Sequence, residues 1–141
     1  MHNIELFNLA VGETLGYCYE HFPRRVEVNA DFISKRVCEF YDIDLVNDAF
    51  INEATEVSGA TIIWLVNAGY LWIEENYEFE FSDVTLTPKS LSLLNVVPES
   101  LDGTIGSKLV SGVKASSKSV ASSLMTTLLS EGVKLSLGTG I

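Results

Sequence analysis

The sequence predicts an α+β protein of mainly helical type, and three observations carry that prediction. Apolar residues recur at three- and four-residue steps over much of the chain, the spacing of helices that bury one face. Between residues 59 and 97 the period changes twice. GATIIWLVNAG reads as a helix stopping at Gly69, YLWIEENYEFEFSDVTLT alternates like a two-stranded ribbon, and TPKSLSLLNVV reopens a helix. The third observation is size: 141 residues, 47% of them hydrophobic and 20% charged, belong to a globular rather than a disordered chain. A chain of that length buries roughly 70% of its unfolded surface, so it needs no disulfide or metal to fold.

The elements follow in order. Ile4, Phe7, Val11, Leu15, Cys18 and Phe22 form an amphipathic stripe, and Pro23 ends that helix. Gly12 and Gly16, four apart on it, would let another element approach closely. RRVEV (24–28) is a short β-prone piece. Asn29 is placed to cap a second helix over 30–41, with Asp31 in its first turn and Phe32, Ile33, Val37, Cys38, Phe40 and Tyr41 as its apolar face. Residues 45–58 read either as a helix of their own or as a loop leading to a helix that begins near Gly59 with Ser58 as cap.

Residues 70–74 and 78–86 then pair as a hairpin, with the turn around Glu75, Asn76 and Tyr77. Leu71, Ile73, Phe79, Phe81, Val84 and Leu86 are its inward positions, and the broken alternation at Ser82 and Asp83 suggests a bulge. Thr87 and Pro88 are a strong helix start, because a first-turn proline lacks only an N–H that had no partner anyway. Leu91, Leu93, Leu94 and Val97 turn that helix inward before Pro98.

Charge marks the expected boundary between a domain at 1–101 and a tail at 102–141. Residues 1–103 hold 18 acidic side chains against five basic ones, whereas residues 104–141 hold four lysines and one glutamate. Residues 102–106 read as linker. From Lys108 to Ser130 the residues Leu109, Val113, Val120, Leu124 and Leu128 fall on one helical stripe, with Gly112, Ser116, Ser119 and Ser123 permitting close helix contact. The tail is therefore expected to promote self-association, making a homo-oligomer. The rival use, resting on an anionic membrane surface through Lys108, Lys114 and Lys118, lacks aromatic anchors.

Two segments resemble the winged helix-turn-helix families of MarR and PadR type. Leu65 followed by Gly69, Tyr70 and Leu71 is similar to the end of their third helix, and Leu86, Thr87, Pro88, Lys89 and Ser90 to the start of the helix after the wing, with Ser90 where the families have glycine. Val26 and Val28 would be the short first strand. The resemblance covers roughly residues 24–98 and implies a winged-helix-like domain followed by an amphipathic C-terminal helix. It also implies DNA binding, and here the residues argue otherwise. The helix at 60–68 that would read DNA has no charge, and the wing carries Glu74, Glu75, Glu78, Glu80 and Asp83. Affinity for duplex DNA comes from Lys and Arg neutralising phosphates, and five carboxylates would repel them.

The remaining chemistry is sparse. Arg24, Arg25, Lys35 and Arg36 are the main basic cluster of the domain, an anchor for phosphate or an acidic partner unless neighbouring Glu20, Glu27 and Glu39 neutralise it. Trp64 and Trp72 read as core or interface anchors, since large aromatics contribute most when buried, and with Glu75 and Tyr77 they are the candidate contact residues. Glu20 and His21 have no H-E-x-x-H or paired-carboxylate context, and Cys18 and Cys38 lack C-x-x-C spacing, so neither metal, cofactor nor catalysis is expected. No basic leader precedes Glu5 and Glu13, and no apolar run approaches the ~18 residues of a membrane span. The sequence thus points to a cytoplasmic, non-enzymatic protein-interaction module. A DNA-binding regulator of winged-helix type is the alternative.

Overall fold

The computed structural model describes residues 3–96, 103–115 and 126. Along them run α1 (Asn3–His21), β1 (Val26–Asn29), α2 (Ala30–Cys38), a 3-10 turn (Ile43–Leu45), α3 (Asp48–Asn67), β2 (Leu71–Trp72), β3 (Glu75–Tyr77), β4 (Glu80–Leu86), α4 (Pro88–Leu94) and α5 (Ile105–Ala115). The class is α+β and mainly helical, as the periodicities predict.

α1 is the hub of the helical layer. Every residue from 9 to 16 is buried, so the middle of this helix is covered all round rather than along one stripe. Its expected stripe holds at Val11, Leu15 and Cys18 but fails at the ends, where Ile4 and Phe22 are exposed. The packing of α2, α3 and α5 around a single helix explains the difference. Ile33, Val37, Ala54, Ile62, Leu65, Leu93 and Leu94 complete the core with inward residues of the sheet.

Local chemistry sets the helix boundaries. Asn29 Oδ1 accepts from Phe32 N at 2.8 Å and caps α2, as expected. α2 itself ends earlier than expected, at Cys38, and Tyr41 reaches the core from the turn that follows. The helix expected from Gly59 is in fact a single 20-residue helix that also takes in Asp48–Ser58, because Asn47, not Ser58, is the cap, accepting from Phe50 N at 2.9 Å. At its other end Gly69 adopts φ 85, with Gly69 N bonded to Val66 O and Tyr70 N to Leu65 O, the paired bonds of a Schellman stop. Thr87 Oγ1 accepts from Ser90 N at 3.2 Å and caps α4, with Pro88 in its first turn.

The start of α4 is also tied to the end of α3. Thr87 Oγ1 donates to Gly69 O at 2.7 Å and Ser90 Oγ to Tyr70 O at 2.8 Å. Two segments eighteen residues apart in sequence thus satisfy each other's backbone groups.

β4 is the central strand of an antiparallel sheet. Phe81 pairs with Val28 on one edge and with Asn76 on the other, and further along β4 Leu86 pairs with Leu71. The expected bulge is present. Between the pairs Val26–Val84 and Val28–Phe81, β4 carries one residue more than β1, and Asp83 takes φ 53. That extra residue lets Phe81 and Val84, an odd number apart, both face the core. The expected hairpin turn is corrected. Glu75, Asn76 and Tyr77 are strand residues, and the chain reverses at Glu78 and Phe79, where Glu78 adopts φ 54.

α5 begins at Ile105, not Lys108, with Thr104 Oγ1 accepting from Ser107 N at 3.0 Å. Ile105 and Leu109 are fully buried in the same core as α1. The expected tail residues Val120, Leu124 and Leu128, and the side chain of Val113, lie outside the described residues. No described helix is long and apolar enough to cross a membrane.

Candidate interaction surface

The ribbon of β3 and β4 presents a dense row of carboxylates. Glu75, Asn76, Tyr77, Glu78, Glu80 and Asp83 are all exposed, and Tyr77 keeps 75% of its surface in solvent. The tip is nonetheless held down. Ala30 N donates to Phe79 O at 3.0 Å, and the Phe79 ring lies so close over Gly59 of α3 that a Cβ there would meet it at 2.4 Å. Gly59 is therefore the residue that lets the turn fold back on the helices.

Two shallow grooves flank this ribbon. One, of about 370 Å³, lies between the start of α2, Thr55 and the turn, and presents Asp31, Glu78 and Glu80. The other, of about 250 Å³, crosses the sheet and presents Glu27, Glu75, Tyr77 and Glu80. Glu80 and Asn29 line both, and no lysine or arginine lines either among the described residues.

A second, aromatic surface is built from α1, α3, Tyr70 and α4. Trp64 stands edge-on to Phe7 with ring centroids 5.3 Å apart and stacks on Tyr70 at 6.1 Å. Lys89 Nζ sits 4.4 Å over the Tyr70 ring while donating to Ala68 O at 3.0 Å, so its charge is held against an aromatic face. Burial raises the Tyr70 phenol above its ordinary range. Trp64 remains 44% exposed and Trp72, on β2, 52%. Ile63 and Ile4 are exposed as well.

The basic residues do not act as one patch. Arg36 Nε donates to the buried carboxylate of Glu13 at 2.5 Å, and its guanidinium lies 5.4 Å from the Phe32 ring centroid. Arg25 Nη1 donates to Asp83 O at 2.9 Å, fastening the bulge, whose Asp83 N donates to Glu27 Oε2 at 3.2 Å. Arg24 and Lys35 are exposed. Of the residues read as self-associating, Leu109 packs within its own chain, its Cβ 3.5 Å from where a Cβ on Gly16 would stand.

Glu13 was legible only as a charge interrupting the apolar N-terminal residues. A glutamate between two core residues of a helix looks like a turn-facing polar position until α5 is laid over it, and nothing local announces its partner 23 residues away. Phe79 and Tyr70 were legible as apolar but not as the clamp and the aromatic shelf they form. Cys18 is buried and its thiol is pushed up to about 12 by burial, which keeps it an inert core thiol. His21 lies at the end of α1 with its ring 4.7 Å from that of Tyr17. Among the described residues no group of three His, Cys, Asp or Glu side chains is placed to hold a metal ion.

Comparison with protein-family models, with curated proteins and with solved structures finds no match to this chain.

Proposed function

We propose that this is a non-enzymatic protein-interaction module on a winged-helix-like scaffold, which meets a basic partner through its acidic ribbon and associates with itself through its C-terminal tail. The element order supports the scaffold. α2, α3, a ribbon and α4 follow one another, the first strand lies beside the last, and the two segments that resemble winged-helix families, at Gly69 and Thr87, are bonded to each other. The observation that carries the function is the setting of Tyr77. A phenol ring 75% exposed, among Glu27, Glu75 and Glu80, offers a flat apolar contact inside a field of one sign. Such a surface attracts Lys- and Arg-rich segments and lets their stems lie on the ring.

The competing use of the same scaffold is duplex DNA binding. The grooves' carboxylates oppose it, since affinity for duplex DNA comes chiefly from Lys and Arg neutralising phosphates. Binding of a lysine- and arginine-rich peptide to the full chain, followed by NMR amide shifts, is the test. Shifts concentrated at Glu27, Tyr77 and Glu80, lost in Tyr77→Ala and weakened by salt, are the expected result. Shifts spread evenly over the protein, or unaffected by Tyr77→Ala, would remove the ribbon from the proposal. Self-association is read separately, by light scattering of the full chain and of a chain ending at Ala115, which keeps Ile105 and Leu109 in the core. Monomer masses for both would remove the tail.

A further inference from the structure

Glu13 is the one acidic side chain that is buried among the described residues, at 1% exposure. Its Oε1 accepts from Arg36 Nε at 2.5 Å, while Oε2 has no hydrogen-bond partner among the described residues. Three elements enclose it. α1 supplies Glu13 itself with Gly16 and Tyr17, α2 supplies Arg36, and α5 supplies Leu109 and Val110. The space left between them is about 10 Å³, at the lower limit for a single water.

α5 is the cover. It runs antiparallel to α1, with Gly106 against the Tyr19 ring and Leu109 against Gly16, and both glycines are what let the helices close. With α5 seated, a carboxylate that water would otherwise solvate must rest in a closed crevice with one oxygen bonded to Arg36 and the other unmatched. Protonation lowers the cost of that burial, because it removes the charge that burial penalises.

We propose that α5 is a proton-coupled strap: its seating over the Glu13–Arg36 pair takes up a proton at Glu13, so the strap holds more tightly in mild acid than at neutral pH. The groups facing Glu13 pull in both directions. Arg36 on α2 favours the ionised form, Glu39 on the same helix end opposes it, and Tyr17 and Glu20 border the crevice from α1. From α5 the residues lining the crevice, Leu109 and Val110, bring no charge. Burial is the largest effect and outweighs Arg36, so the Glu13 carboxyl lies above its ordinary value of 4.5. A group whose carboxyl is raised in the seated state binds more protons seated than released. Seating is therefore strongest below pH 4.5 and weakens as pH climbs from there through the raised value, levelling off above it.

Amide hydrogen exchange on the full chain tests this, comparing α5 with α3 at mildly acidic and neutral pH after correction for intrinsic rates. The protection of α5 relative to α3 should fall with rising pH, by at most about tenfold per pH unit, the limit for one proton. In Glu13→Gln the relative protection should not depend on pH. An NMR titration of the Glu13 carboxyl in the unaltered chain gives a second reading that survives if the variant fails to fold, and a midpoint above the ordinary carboxylate range is expected. A midpoint at or below that range, a pH-independent strap in the native chain, or an unchanged pH dependence in Glu13→Gln would each overturn the proposal. A role for Glu13 in packing alone would leave the pH profile flat.

Discussion

The helical layer and the ribbon treat the same functional group in opposite ways. In the helices one carboxylate, Glu13, is enclosed by three elements and bonded to Arg36. On the ribbon and its rims, Glu27, Glu75, Glu78, Glu80 and Asp83 all stand in solvent. The first arrangement exists because neighbouring helices were packed over it, and its energetics belong to folding. The second needs no packing at all, so its charge is available to something outside the protein. The contrast separates residues that hold the molecule together from residues that the fold leaves in solvent.

Substitutions sharpen the contrast, and the largest effects belong to the helical layer. Leu109→Ala empties a fully buried position on the inner face of α5, and the denaturation midpoint should record a loss of ~2–5 kcal/mol. Gly106→Ala should cost ~1–3 kcal/mol by overpacking. Its new Cβ meets the Tyr19 ring at 2.5 Å, and Tyr19 Oη is bonded to Asn95 Oδ1 at 3.0 Å and is not free to swing away. Gly59→Ala presses on the equally half-buried Phe79 ring just as closely, but that ring has no hydrogen bond to hold it in place. Thermal melts should rank Gly106→Ala as the more damaging of the two, and the reverse order would mean that the tip is packed more firmly than the α1–α5 seam. Thr87→Ala removes both the α4 cap and the bond to Gly69 O, for an expected ~1–2 kcal/mol by chemical denaturation.

The smallest effects on stability belong to the ribbon. Neutralising Glu75, Glu78 or Glu80 to Gln should leave stability within ~0.5 kcal/mol, as for exposed sites generally, while weakening the binding of a cationic peptide. Thiol labelling draws the same line in another currency. With its thiol pushed up to about 12 by burial, Cys18 should resist a thiol reagent at pH 8 until the protein unfolds, whereas the half-buried Cys38 reacts first. Equal rates for the two would show that α1 opens readily.

Much of the fold was legible because its signals are local. Asn29, Thr87 with Pro88, and Gly69 each fix a helix boundary through bonds to residues within a few positions, and each stands where the sequence places it. The bulge at Asp83 showed as a broken alternation. What escaped detection depends on partners distant in sequence. The start of α3 at Asn47 was hidden because residues 45–58 mix polar and apolar positions without one clear stripe. The hairpin turn was displaced because Glu75, Asn76 and Tyr77 look turn-prone, while the true reversal is secured by Phe79 packing on Gly59. The surface was half visible: Trp72 lies between the inward positions Leu71 and Ile73 and Tyr77 was read beside carboxylates at the turn, but the diversion of Arg36 to Glu13 and of Arg25 to the Asp83 carbonyl was not legible.

The claim that the ribbon serves protein contact and not nucleic acid is tested most directly by titrating the full chain with mixed-sequence duplex DNA at low salt. A chain with Glu75, Glu78 and Glu80 all changed to Lys provides the comparison. The account predicts no measurable complex for the native chain and a salt-sensitive complex for the reversed one. Tight, salt-dependent binding by the native chain would contradict it.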